Sequence, residues 1–368
     1  MMSGQKKYSK SVRVWLFIGL VMLVVQVMVG GITRLTGSGL SITEWDIIQG
    51  TLPPLSEAVW VSEFDLYKDS PQYKEINQGM EMGSILLPGT FKFIYFWEWV
   101  HRLWARVMGI VFLIPFIYFW SRGMFDGMLK SRLIGVFLLA GLAASFGWIM
   151  VASGLVERPW VNAYKLALHL SIAFLTYSWL LWTFFKTQWT GSTQQSYGLH
   201  LRFGKLAFWF TALLCVQIFL GGVMSGMKAA VAYPTWPDMN GHALPSVIFK
   251  SAEWSWDNFN NYDQNLFMPA LIQTIHRLVA YCLIAFGIYL LPKIIRMAKD
   301  KLTRQGAIVA SSLLAVQVLL GILTVINSKS TIPVGYGVAH QIVALFLLTA
   351  CLHLNYRFKE PLDVSRGT

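Results

Sequence analysis

QVMVGGITRLTGSGLSITEWDIIQGTLPP, residues 26–54, is answered at a constant offset of 191 by QIFLGGVMSGMKAAVAYPTWPDMNGHALP, residues 217–245. Without a gap, Gln26 meets Gln217, Gly30 meets Gly221, Gly31 meets Gly222, Trp45 meets Trp236, Gly50 meets Gly241 and Pro54 meets Pro245. So many coincidences in one short stretch indicate an internal duplication. Farther on, His101-Arg102-Leu103 returns as His276-Arg277-Leu278, and His169 as His340.

The solvent for the repeated unit follows from composition. Of 368 residues, 55% are apolar and 13% charged, and the mean hydropathy is +0.52, outside the balance of a water-soluble domain. Many of the aromatic residues stand at the ends of apolar runs, where rings anchor at headgroups. Runs long enough to cross a bilayer, which takes roughly 17–25 residues, lie at 14–32, 93–120, 133–153, 164–185, 206–226, 268–292, 306–326 and 334–355. They are continuous rather than alternating, which excludes a transmembrane β-barrel. The fold class expected is all-α integral membrane, with eight transmembrane helices as two duplicated four-helix bundles. Residues 1–190 make one half with a long loop at 33–92, and residues 191–368 the other with a loop at 227–267. The first run lacks a small-residue cleavage site and reads as a retained span.

The net charge of +12 comes from Lys and Arg scattered between the apolar runs, so it signals topology rather than nucleic-acid binding. Eighteen of them flank one set of span ends and nine the other. The positive-inside rule then puts both termini in the cytoplasm and the two long loops outside. Cys215, Cys282 and Cys351 each sit inside an apolar run and support neither disulfides nor a Cys-based metal site. Gly37-Ser38-Gly39 follows a membrane helix instead of a strand and reads as a turn, not a phosphate loop.

Four of the seven histidines fall within spans: His101, His169, His276 and His340. A lone histidine on an apolar helix is usually a packing residue, but four at duplicated positions argue for ligands. All lie in the outer half of helices running in the same direction, so each pair can face across one bundle at one level. Two facing imidazoles suit a haem iron ligated from both sides. Zinc would need further Cys, Asp or Glu ligands that the spans do not carry. His200, His242 and His353 are assigned no ligand role. Arg102 and Arg277 follow the first histidine of each pair, and a cation inside a span costs roughly 2.5–3.5 kcal/mol. Haem propionates would supply the anionic partner; the alternative is snorkelling to headgroups.

The halves differ three residues before that histidine, at Glu98 in the first and Gln273 in the second. Positions three apart share a helix face, so an ionisable group stands beside one site only. A carboxylate in so costly a place is a functional candidate; the plainer reading is an ion pair with Arg102 or Arg106.

Glu98-Trp99-Val100-His101-Arg102, Gly37-Ser38-Gly39-Leu40-Ser41 with Glu44-Trp45, Pro53-Pro54 and the two-histidine duplication together resemble the haem A synthase family of membrane enzymes, over nearly the whole chain. The resemblance implies that haem O, the substrate, binds between His101 and His169, with haem b as cofactor iron between His276 and His340. It also implies that Glu98 is the catalytic acid residue. A ring methyl of haem O would become a formyl group in two oxidations, with water as oxygen source. Some members carry a Cys pair in the first loop, and this chain resembles the Cys-lacking branch. The implied partner is haem O synthase, the protohaem farnesyltransferase, in the cell inner membrane; a homo-oligomer is allowed. A di-haem cytochrome b that only relays electrons is the rival, and it needs no carboxylate beside one haem alone.

Overall fold

The computed structural model describes residues 8–44, 49–156, 158–188 and 194–358. Trp45 and the N-terminal Lys6 and Lys7 lie outside them, as does the side chain of His200. Among these residues there is no named strand, only an isolated bridge between Met239 and His242.

Eight helices are long and apolar enough to cross a membrane. They are α1 (Lys10–Leu35), α2 (Phe91–Ser121), α3 (Gly127–Gly154), α4 (Ala163–Gln188), α5 (Gln194–Gly226), α6 (Phe267–Met297), α7 (Lys301–Ile326) and α8 (Val334–Phe358). Each expected apolar run falls inside one of them. In lipid no other local structure satisfies the backbone, and the polar flanks extend the helices because caps set their ends. Ser9 accepts from the Val12 N–H, Asp126 from Leu129 and Asp300 from Thr303, which fixes the first turns of α1, α3 and α7. Pro115 and Pro292 are accommodated within α2 and α6.

The long loops carry structure that the hydropathy pattern does not foretell. The first contains helices at Glu57–Lys68 and Pro71–Glu75, with Phe64 and Tyr67 buried against Phe91, Ile94 and Tyr95 at the start of α2. The second contains short helices at Ala229–Ala232 and Trp256–Asn260, and Tyr262 is buried beside Phe267 and Met268.

α1, α4, α5 and α8 form the centre: α4 packs on α1, α5 and α8, while α8 packs on α1 and α5. α2 lies against α1 and α6 against α5; α3 lies against α4 and α7 against α8. In lipid the apolar faces gain nothing by meeting, so close packing has to hold helices together. Gly222 and Gly226 of α5 face Ala167 and Ala163 of α4 so closely that a Cβ on Gly226 would stand 2.5 Å from the Ala163 Cα.

Candidate functional site

α2, α4, α6 and α8 all begin at the end of the bundle that carries the long loops. His101 lies ten residues into α2, His169 six into α4, His276 nine into α6 and His340 six into α8. At 1.5 Å per residue these depths are about 9–15 Å from the helix starts. His101 and His169 are close enough to sense each other's charge, and so are His276 and His340. The structure thus brings together both pairs singled out in the sequence.

The neighbouring helix holds each imidazole in one repeated way. Gln26 of α1 places its Nε2 3.0 Å from the His101 Nε2 and donates to the His101 carbonyl. One turn on, Gly30 leaves the ring room, since a Cβ there would be 3.1 Å from the His101 Nε2. Gln217 and Gly221 of α5 do the same for His276, at 3.0 Å, and Gln317 and Gly321 of α7 for His340, at 3.2 Å. At the fourth site Gly147 of α3 stands against His169, but Ala143 occupies the glutamine position. There the His169 Nδ1 donates to the Ala143 carbonyl at 2.9 Å.

These groups are suited to a bound planar ligand. The Nδ1 atoms of His276 and His340 and the Oε1 atoms of Gln26, Gln217 and Gln317 are buried without a hydrogen-bond partner. An unsatisfied buried polar group costs about 1–3 kcal/mol, so their concentration around the paired imidazoles marks places where a further polar or metal centre belongs. Two imidazoles from facing helices, with glycines clearing the space beside them, are the donor set for a haem iron. Among the described residues no group of three or more His, Cys, Asp or Glu gathers, which a porphyrin, itself supplying the remaining ligands, does not require.

Glu98 is 2% exposed and its carboxylate is fully engaged. One oxygen accepts from the Ser41 N–H at 2.7 Å, the Ser41 hydroxyl at 2.7 Å and the Ile42 N–H at 3.0 Å. The other takes a 2.6 Å ion pair from Arg102, which also donates to the Ile42 carbonyl. The ion pair named as the plainer alternative is therefore present, and with it a tie to the first loop. Gln273 makes the corresponding tie by donating to the Tyr233 carbonyl at 2.9 Å, and Tyr233 is the repeat counterpart of Ile42. Arg277 donates to the carbonyls of Thr235, Pro237 and Asp238 at 2.6, 3.3 and 2.7 Å, and its buried Nε has no partner. Both arginines accordingly spend donors on loop carbonyls.

The sequence reading missed the glutamines as ring holders, although the signal was present: Gln-x-x-x-Gly occurs at 26–30, 217–221 and 317–321, and Ala143-x-x-x-Gly147 completes the set.

The fold defines an all-α integral membrane protein, and it carries two paired-histidine sites. Residues 13–352 match the family described as cytochrome oxidase assembly protein, COX15-CtaA. The chain is 39% identical over 346 residues to a protein named Heme A synthase from Chelativorans sp. (strain BNC1), covering 92% of this chain and 88% of the relative. It is 38% identical over 337 residues to one of that name from Brucella ovis, with 92% and 88% covered. A third, from Methylorubrum extorquens, is 41% identical over 349 residues, with 93% and 86% covered. The chain belongs to the COX15-CtaA family and, within it, to the haem A synthases, membrane oxidoreductases of haem.

Proposed function

We propose that this chain oxidises a ring methyl of haem O to a formyl group in two successive steps, with water supplying the oxygen. The observation that carries the proposal is the pairing of four span histidines at two sites, with the Glu98 carboxyl beside the first site where the second has Gln273. His101 and His169 would hold the substrate haem, and His276 and His340 would hold haem b, which would supply electron transfer. Residues 1–190 and 191–368 are the two functional halves.

Glu98 is the acidic side chain beside the first site, and Ser41, Ile42 and Arg102 hold it in place. A carboxylate whose acceptor positions are already taken acts best as a preorganised charge, stabilising positive charge that develops on the methyl carbon during oxidation. Arg277, whose buried Nε has no partner, offers that donor to a haem propionate. The Lys and Arg distribution supports an inner-membrane protein with cytoplasmic termini and external loops, receiving its substrate from haem O synthase.

The test is incubation of membranes containing the chain with haem O, followed by extraction and chromatography of the pigments. Haem A should appear, through a hydroxylated intermediate. Recovery of unchanged haem O from membranes in which the chain carries its b-type haem would leave only the electron-relay alternative standing.

A further inference from the structure

α3 and α7 occupy corresponding positions in the repeat, and two landmarks fix their register. Asp126 and Asp300 cap their first turns, and twenty-one residues beyond each stands the glycine that faces a histidine, Gly147 or Gly321. In this register three large side chains of α7 correspond to alanines in α3: Leu314 to Ala140, Gln317 to Ala143, and Val318 to Ala144.

The exchange changes the packing. α7 lies along α6, where Leu314 fills the space above Gly287 so closely that a Cβ there would be 2.4 Å from the leucine Cδ2. Gln317 turns to the α8 side of the helix, where it reaches His340. α2 and α3 barely approach each other. They touch through Phe112 and Phe116 of α2 on Phe137 of α3, with ring centroids 5.4 and 4.9 Å apart. Toward the long-loop end the helices part. Ala105 and Gly109 on α2 and Ala140, Gly141 and Ala144 on α3 are exposed, and a Cβ on Gly109 or Gly141 would meet nothing within 4 Å. The opening runs from Phe137 up to Gly147, which touches His169. Ten residues of helix make it about 15 Å long. It is apolar and faces lipid, and its outer end lies beside His169; in the second half α6 and α7 pack together along the equivalent seam.

We propose that the seam between α2 and α3 takes the long isoprenoid tail of the substrate haem, and that Ala140 and Ala144 are the specificity-determining residues that keep it open. This rests on the reading of the first half as the haem O site. The tail is the group that haem O carries and protohaem lacks, so an open seam at one site and a closed one at the other sorts the two pigments to their halves. The sorting works by space and not by hydrophobic drive, because lipid is as apolar as the tail. The open side also gives the pigment a lateral route from the bilayer to His169.

The test fills the seam with residues of its closed counterpart, Ala140→Leu and Ala144→Val together, with Ala140→Leu alone as the milder variant. Haem O and protohaem are titrated into the purified chain that already carries its resident haem, and the low-spin bis-histidine absorbance reads the first site. The filled chain should bind protohaem as before and haem O more weakly by roughly tenfold or more, the usual scale of overpacking, with the single substitution shifting the ratio in the same direction. Unchanged haem O affinity in the filled chain refutes the assignment, as does an equal loss of both pigments. If haem O fails to bind the unaltered chain, or binds regardless of His101→Ala, the functional reading itself fails.

Discussion

Glu98→Gln is the most informative single substitution, because structure and chemistry assign different consequences to it. The side chain keeps its volume, but an amide replaces one oxygen that meets Arg102 at 2.6 Å or the other that accepts from Ser41 and Ile42. Either orientation sets the amide N–H donors against existing donors. It also leaves the Arg102 guanidinium, 13% exposed, without its counter-ion. Breaking a buried pair from one side costs about 3–5 kcal/mol, and Arg102 keeps the Ile42 carbonyl, so the lower end applies. A midpoint of thermal unfolding lowered by roughly 4 °C follows. If the charge also assists oxidation, haem A formation should fall by roughly 10²–10³, while b-type absorbance at His276 and His340 survives. Ser41→Ala separates the two effects: it removes one hydrogen bond to the carboxylate, costing about 1.5–3 kcal/mol, and leaves the charge in place. It should lower the midpoint and spare haem A formation. Calorimetry of the purified variants and pigment chromatography of their membranes are the assays. A Glu98→Gln protein with an unaltered midpoint and near-normal haem A would refute both the anchoring and the electrostatic argument.

Replacing His276 or His340 by Ala should abolish the b-type spectrum, while His101→Ala should stop turnover and leave that spectrum intact; unchanged haem content in both second-half variants would remove the ligation assignment. Reporter fusions at Lys68 and Asn258 should score as external and a fusion at the C-terminus as cytoplasmic, and a cytoplasmic signal from either loop overturns the orientation. At the opposite end of the bundle, burial works against ionisation of Asp300. Hydrogen bonds from the Thr303 N–H and hydroxyl and the Arg357 guanidinium outweigh it and hold the carboxyl below its ordinary value of 3.8. A depressed folded-state pKa gives stability that is present above 3.8 and lost as pH falls below it. Asp300→Asn should therefore destabilise the protein at neutral pH and flatten that acid limb; a melting profile against pH that matches the unaltered chain would show that the pair contributes nothing.

Length and hydropathy were enough to locate every membrane helix, because in lipid a continuous apolar run has one backbone solution. The histidines were legible for a different reason: duplication turned single ambiguous residues into a pattern. Contacts made by ordinary polar residues across sequence distance were not legible. Gln26 and Gln217 stood out as repeat coincidences, yet nothing in a glutamine says that it holds a ring 75 or 59 positions away. Arg277 was expected to face a propionate. Two of its nitrogens also reach three loop carbonyls, whose approach depends on how residues 235–238 fold back, a tertiary fact without a periodic signal. The short helices of the long loops were hidden for the same reason: local propensity is weak, and aromatic packing of Phe64 and Tyr67 on Phe91 holds them.

The two halves are joined through a shared centre and do not stand as separate bundles, and this bears on how the sites are held. α4 carries His169 and is seated on α5 at Gly222 and Gly226, where side-chain-free surfaces allow near contact of backbones. α8 carries His340 and is seated on α1, where Gly31 admits Gln341, whose Nε2 donates to the Val27 carbonyl at 3.1 Å. Gln341 follows His340 directly, and Val27 follows Gln26, which holds His101. One histidine of the second pair is thus tied through peptide bonds and two side-chain contacts to one histidine of the first. The repeat counterpart of Gln341 is Leu170, which packs near Gly222 and has no polar group to offer. The tie therefore runs across one face of the pseudo-symmetric centre only. Because close-packed interiors transmit displacement rather than absorb it, a shift of α1 against α8 moves the ligands of both sites together, and the spacing between the pairs is a property of the central four helices.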